Sequence, residues 1–398
     1  MENYRNAVDL VRSKNPINPV LCSRPLAVER AAAWFCARFP GKTFYAAKAN
    51  PAPWLLRSLL KSGVDHFDVA SIKEIRRVRS LAPAATLALM HPVKSSDTIA
   101  EAYFDHGIRV FSLDCEEELD KILRATNNAR DLTLCVRLAV PNEQAKISLG
   151  KKFGIAVSDA TTLMRQTRRV AERFGICFHV GSQTMAPQAF RTALDLVQQA
   201  IVHSGVIVDV VDVGGGFPSR YPGMEPPPLE AYVSEIAQRF DNMLTTEDCE
   251  LWCEPGRALA AEASSLVVRV ERRRGQTLFI NDGIYGALAD AGTLGWNYPV
   301  RHLSRRRGSS TLAPFSFFGP TCDDADFMHG PFMLPADIRS GDHIEIGMLG
   351  AYGSVLRTDF NGFRTHEQVL VGDEPMFTMF AEPATPLVRA AAFSGKEI

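Results

Sequence analysis

Lys48 closes an apolar, β-type run, Thr43-Phe44-Tyr45-Ala46-Ala47-Lys48, just before the helix-breaking Asn50-Pro51-Ala52-Pro53. A lysine at the end of a buried strand loses water, which lowers its pKa and frees an amine able to bond a carbonyl carbon. Taken alone, such a lysine is more often one that snorkels out of a core strand. Three other segments reverse those odds. Gly214-Gly215-Gly216 follows the strand-like Val208–Val213 and bares backbone N–H groups to a phosphate, although a glycine run is often only a turn. Glu254-Pro255-Gly256-Arg257 sets an acid and a base three residues apart. They form either an ordinary ion pair at a rim, or a carboxylate for a protonated ring nitrogen beside a guanidinium for phosphate. His179-Val180-Gly181-Ser182-Gln183 ends a further strand with a flat ring, which either sits satisfied in a core or stacks on a cofactor. An amine for a carbonyl, an anion cradle and an acid for a ring nitrogen together point to pyridoxal phosphate.

These groups need a scaffold that brings strand ends together. Strand-like runs end near Lys48, Ala70, Met90, Leu113, Leu138, Val180, Val213 and Cys253. Amphipathic helical stretches separate most of them, among them Ile72–Leu81, Ser95–His106, Glu116–Thr126 and Pro187–His203. Eight βα units at a spacing of about 30 residues predict a TIM-type (βα)8 barrel, whose chemistry gathers at the C-terminal ends of its strands. The absence of a Gly-x-Gly-x-x-Gly turn after the first strand argues against a doubly wound sheet. Lys48, Asp68, His91, Asp114, Arg137, His179, Gly214–Gly216 and Glu254 all fall at those ends. From about Ser265 the pattern changes to β-rich segments between Gly, Pro and Asp turns, including Leu266–Val270, Leu278–Ile280 and His343–Ile346. The reading is an α/β barrel over residues 27–264 and an all-β domain from residues 1–26 and 265–398. Tyr221–Pro228 reads as a stiff Pro-rich loop after the seventh strand.

Composition narrows the partners. With 398 residues, 46% of them hydrophobic, a net charge of −1 and a pI near 6.8, the chain carries no global attraction to nucleic acid or anionic membrane. The basic runs Arg272-Arg273-Arg274 and Arg305-Arg306-Arg307 each precede a glycine and read as solvated loops. No apolar stretch reaches the ~20 residues of a membrane span, and Met1-Glu2-Asn3-Tyr4-Arg5 is unlike a signal peptide, so a cytoplasmic protein is expected. The eight scattered cysteines read as free thiols, and no metal site is expected.

In order along nearly the whole chain, these segments resemble the ornithine/diaminopimelate (group IV) decarboxylase family, the fold-type III pyridoxal-phosphate enzymes. That family pairs an alanine-racemase-like barrel with a C-terminal β-sandwich or barrel domain. Phe44-Tyr45-Ala46-Ala47-Lys48-Ala49-Asn50 looks like its Schiff-base segment. The resemblance implies that Asp68 lies near Lys48, with Arg137 and His179 as cofactor neighbours. It further implies phosphate contacts from Ser182, Gly216, Arg257 and Tyr352 around the glycine cradle and Gly256, with Glu254 on the pyridine nitrogen. Gly319-Pro320-Thr321-Cys322-Asp323 carries the Cys-Asp pair of the ornithine-decarboxylase branch, where diaminopimelate decarboxylases have Cys-Glu. In the family this segment reaches the partner's site, which implies a homodimer with shared active sites. Asn281-Asp282-Gly283-Ile284-Tyr285-Gly286 and Phe360-Asn361-Gly362-Phe363 match as well. The chain departs from the pattern after Gly286, where a substrate-binding aspartate is expected farther along and Asp290 is the acid present.

The expected reaction follows. Loss of CO2 leaves an electron pair at Cα that a protonated pyridine ring accepts, and a carboxylate at Glu254 favours that protonation, whereas an arginine there would suit racemisation. Cys322 would return a proton to Cα, and Asp323, with Tyr285 and Asp290, would bind the distal ammonium of L-ornithine to yield putrescine. Lysine is the alternative substrate. A regulatory homologue without activity is the alternative from another class, and it would be expected to have lost Lys48, the glycines or Cys322.

Overall fold

The computed structural model describes residues 1–304 and 309–380; the run Arg305-Arg306-Arg307-Gly308 lies outside them. The chain opens with two strands, Asn3–Tyr4 (β1) and Val20–Ser23 (β2), on either side of a helix, Ala7–Lys14. Both strands lie in the sheet of the second half of the chain rather than in the barrel.

Eight parallel strands then close into a barrel. In chain order they are Lys42–Ala46 (β3), His66–Val69 (β4), Thr86–Leu89 (β5), Val110–Leu113 (β6) and Thr133–Arg137 (β7). After a short strand, Ala145–Ile147 (β8), outside the barrel comes Arg173–Cys177 (β9). A second outlying strand, Ser182–Thr184 (β10), precedes Val210–Asp212 (β11) and Glu250–Cys253 (β12). β12 closes the ring against β3 through Trp252 opposite Lys42 and Cys253 opposite Thr43. Alternation along each strand divides the side chains between two cores. Phe44, Ala88, Val110, Cys135, Cys177, Val210 and Trp252 form one cluster that fills the lumen. Their neighbours in sequence, among them Tyr45, Leu87, Leu89, Phe111, Leu134, Ile176 and Val211, join the larger core beneath the helices. With the lumen filled, a ligand of the barrel has to sit above the strand ends.

The helices between the strands carry local signals. Helix Ile72–Leu81 begins where Ser71 Oγ accepts the Glu74 N–H at 3.4 Å, and Glu74 in turn accepts the Ala70 N–H at 2.7 Å. This reciprocal cap resembles a capping box and satisfies two otherwise orphaned donors.

The second half is built on one long strand, Ser264–Arg274 (β13). Along its length it pairs with β2, with His343–Ile346 (to be numbered β18) and with Thr277–Ile280 (β14). The remaining strands are Val300–Leu303 (β15), Leu312–Phe318 (β16), Phe327–Pro335 (β17), β18 as given, and Glu367–Val371 (β19). The main path of this nine-stranded sheet runs β1-β19-β2-β13-β14-β16-β17; β18 branches from β13 and carries β15 on its other edge.

Candidate active site

Above the strand ends lies a cavity of about 440 Å³ lined by Lys48, Asp68, His91, Arg137, His179 and Glu254, with Ser148–Leu149 and Lys151–Phe153 along one rim. Six sequence-derived barrel-mouth residues therefore share one space. Asp114 has another task, since its Oδ2 accepts the Gly154 N–H at 2.8 Å and anchors that rim. The rim is held further by β8, which pairs antiparallel with β10.

Lys48 sits just past β3, in the single 3-10 turn Ala47–Ala49. The turn is fixed from both sides. Tyr45 donates through its hydroxyl to the Asn50 carbonyl at 3.0 Å, the Asn50 side chain donates to the Gly350 carbonyl at 2.7 Å, and the Tyr352 N–H donates to the Ala49 carbonyl at 2.9 Å. Gly256 packs below it, where an added Cβ would lie 3.1 Å from the Cβ atoms of Ala46 and Ala49. Lys48 Nζ is 3.0 Å from Asp68 Oδ2, at the end of the neighbouring β4. The expectation of a lowered lysine pKa is corrected here. Burial does push it down, but the neighbouring acids, Asp68 before Glu254, outweigh burial and the net shift is upward. In this state the amine is held as an ammonium.

Glu254 follows β12 and donates its backbone N–H to the Gly214 carbonyl at 2.8 Å. It is buried, and burial together with the neighbouring acids Asp212 and Asp68 drives its carboxyl well above the usual range, against the pull of Lys48. Asp212, from β11, is also raised, to about 6, chiefly by burial, and is relieved by a hydrogen bond from Glu254. The expectation of a carboxylate at Glu254 is thus modified: burial and the two neighbouring acids outweigh the pull of Lys48 and favour its protonated form beside Asp212. His179 accepts the Gly181 N–H on Nδ1 at 3.0 Å. Burial, then Lys48 and Arg137, lower its pKa well below the usual value, so the ring is neutral and free to stack.

Arg257 begins the short helix Arg257–Ala260 and is 4% exposed. Its Nε donates to Ser182 Oγ at 3.4 Å and its Nη1 to the Tyr221 hydroxyl at 3.2 Å. The rings of Trp296 and Tyr352 lie 4.6 and 4.9 Å from the guanidinium carbon. Gly214 and Gly216 adopt φ of +66° and +108°, and an added Cβ would lie 2.1 Å from the Phe178 carbonyl at the first and 2.7 Å from the Gly181 carbonyl at the second. At Gly215 it would meet His179 Nε2 at 2.9 Å.

The remaining sequence-derived residues lie apart from this cavity. Cys322 and Asp323 line a separate groove in the second half of the chain, where Cys322 is exposed. Asp323 accepts a hydrogen bond from the Tyr285 hydroxyl, and the Cys322 N–H donates to Asn361 Oδ1 at 3.0 Å. Asp290 reaches neither group and stands 3.6 Å from Arg257. Sequence reasoning missed Tyr221, Trp296, Asp212 and the rim lysines Lys151 and Lys152. Asp212 alone left a signal, as the second of two acids in the otherwise apolar run before the glycines.

The donor set suits pyridoxal phosphate. A buried guanidinium supplied mainly with neutral hydroxyl partners beside a glycine turn suits a phosphate, and an amine, a neutral imidazole and a buried acid line the adjoining cavity. Among the described residues no group of three or more His, Cys, Asp or Glu side chains could hold a metal ion, and no helix is long and apolar enough to cross a membrane.

Comparison with known proteins agrees with this chemistry. Residues 27–261 match the family described as pyridoxal-dependent decarboxylase, pyridoxal binding domain. Over 343 residues the chain is 33% identical to the lysine/ornithine decarboxylase of Selenomonas ruminantium, covering 84% of each. Its fold superposes on a crystal structure of SrLDC in complex with PLP and cadaverine with a TM-score of 0.79, at 30% identity, covering 93% of this chain and 95% of that one. The arginine decarboxylase of Paramecium bursaria Chlorella virus gives a TM-score of 0.81 at 25% identity, covering 91% and 98%. The chain belongs to the pyridoxal-dependent decarboxylases, and pyridoxal phosphate is its cofactor.

Proposed function

We propose that the protein decarboxylates a basic amino acid, L-ornithine before others, and releases putrescine. The observation that carries this reading is the ionised Asp323 beside the exposed Cys322. Its hydrogen bond from Tyr285 keeps its carboxyl below the usual range, so it stays charged and fit to pair with a distal ammonium.

Bound pyridoxal phosphate supplies a conjugated ring that accepts the electron pair left at Cα as CO2 departs. The protein's own groups do the rest. Lys48 Nζ is the attachment amine, and Asp68, 3.0 Å away, is the acceptor for its proton. Arg257, Ser182 and the Gly214–Gly216 backbone hold the phosphate. Glu254 would pair with the pyridine nitrogen and hold a proton between them, and Asp212 behind it raises the proton affinity of that carboxyl. His179, neutral and fixed through Nδ1, supports one face of the ring. Cys322 of a second copy returns the proton to Cα, which makes the working unit a homodimer with shared sites.

The test is a panel of amino acids with identification of the amine formed. Ornithine should lead and lysine, one methylene longer, should follow within about 1–3 kcal/mol of discrimination. Diaminopimelate, with a carboxylate at its far end, should be poor. Asp323→Ala should cost ornithine roughly 10- to 100-fold in kcat/KM, mostly through KM, as expected for losing a charge-assisted hydrogen bond. Comparable turnover of diaminopimelate and ornithine by the wild type, or an Asp323→Ala enzyme with unchanged KM, would remove the basis for this substrate.

A further inference from the structure

We propose that Asp290 sets how tightly the phosphate site holds its ligand, by competing with the phosphate for Arg257. This rests on the reading of Arg257 as the phosphate guanidinium. Asp290 Oδ2 stands 3.6 Å from Arg257 Nη2, beyond hydrogen-bond reach, and among the described residues it is the only carboxylate paired with that arginine. The arginine's other polar partners, Ser182 and Tyr221, carry no charge. Arg257 is buried and Asp290 largely so, at 4% and 12% side-chain exposure, so their charges are weakly screened from each other and from any anion that enters.

The position of Asp290 is fixed by its own turn. It lies in the helix Ala289–Thr293, and its carbonyl accepts the N–H groups of Leu294 and Trp296, both at 3.2 Å. Trp296 is the residue whose ring lies 4.6 Å from the guanidinium carbon. One turn thus supplies both a cover for Arg257 and its counter-charge. Burial already disfavours the charged form of Asp290, and the attraction of Arg257 opposes that effect.

Two consequences follow. Without ligand, Asp290 compensates a buried cation that would otherwise stand without an anion. With ligand, the phosphate takes over that task and meets the Asp290 carboxylate as a like charge. Asp290 therefore stabilises the empty site and weakens the filled one, a trade that favours exchange of the cofactor over permanent retention.

The test compares wild type, Asp290→Asn and Asp290→Ser, each purified as holoenzyme and then depleted of cofactor. Pyridoxal phosphate affinity should tighten by at least about fivefold in both variants, while affinity for pyridoxal, which lacks the phosphate, should be unchanged. The rise in Tm on adding pyridoxal phosphate should be larger than in wild type, because the empty form has lost its counter-charge. Should the empty variants not survive depletion, their holo forms should still retain cofactor through longer dialysis than wild type. Unchanged or weaker pyridoxal phosphate binding in the variants would overturn the proposal, as would equal tightening toward pyridoxal. Arg257→Ala separates the two layers of the argument. If it weakens pyridoxal phosphate binding but Asp290→Asn does not tighten it, the phosphate site stands and Asp290 has no such role. If it leaves that binding unchanged, both readings fall.

Discussion

Lys48→Ala protein is expected to leave purification without the visible absorbance of a covalently attached cofactor, and to decarboxylate about 10³-fold more slowly or worse. The cavity offers few substitutes for this amine. Lys94 is close in sequence to His91, but its Nζ already donates to the carbonyls of His91, Pro92 and Ser112 and pairs with Glu118 at 3.0 Å. Lys151 and Lys152 line the rim of the cavity and lack the fixed turn that carries Lys48. Borohydride reduction of the wild type followed by peptide mapping should therefore label Lys48 alone. A label on Lys151 or Lys152, or a Lys48→Ala protein that keeps a borohydride-stable adduct, would put the attachment elsewhere.

The second large effect is a recovery of activity. Lys48→Ala and Cys322→Ala proteins should each be nearly inactive, yet their mixture should regain about a quarter of wild-type activity after subunit exchange. Random pairing makes half of all dimers mixed, and each mixed dimer holds one site with both Lys48 and Cys322 intact. The geometric ground is that Cys322 lies exposed in a groove separate from the Lys48 cavity of its own chain. Exchange should be checked independently with differently tagged chains. Confirmed exchange without recovered activity would mean that both residues serve the same chain's site.

Much of this could be read from the chain because the signals were local. Helix Ile72–Leu81 was expected with those ends, since Ser71 and Glu74 mark its start within four residues. The strand His343–Ile346 was likewise expected at its observed ends, and the barrel strands end close to the expected points because alternation and turn residues both mark them. Features made by distant segments stayed hidden. β8 and β10 are three residues each and exist only through each other. Tyr221 looked like part of a stiff loop, yet its hydroxyl meets Arg257 from a position 36 residues earlier. The pKa of Lys48 had the wrong sign because burial is visible from its own strand, whereas the two acids that override it arrive on β4 and after β12. Asp290 was expected among the substrate contacts because the pattern puts an aspartate after Gly286; its neighbour Arg257, 3.6 Å away, is 33 residues earlier and left no local sign of that pairing.

The nine-stranded sheet joins the early and late parts of the chain, and this has a consequence for synthesis. β2 lies between β13 and β19, with Val20 opposite both Val267 and Glu367. A ribosome emits Val20 long before Glu367; at ordinary elongation rates the interval is on the order of 20 to 70 s. All eight barrel strands are made within that interval, so the barrel can close while one edge of β2 still waits for its neighbour. An unpaired strand edge is a template for unwanted pairing. The nascent protein is thus most open to misassembly after its cavity has formed, and the arrival of β19 ends that exposure.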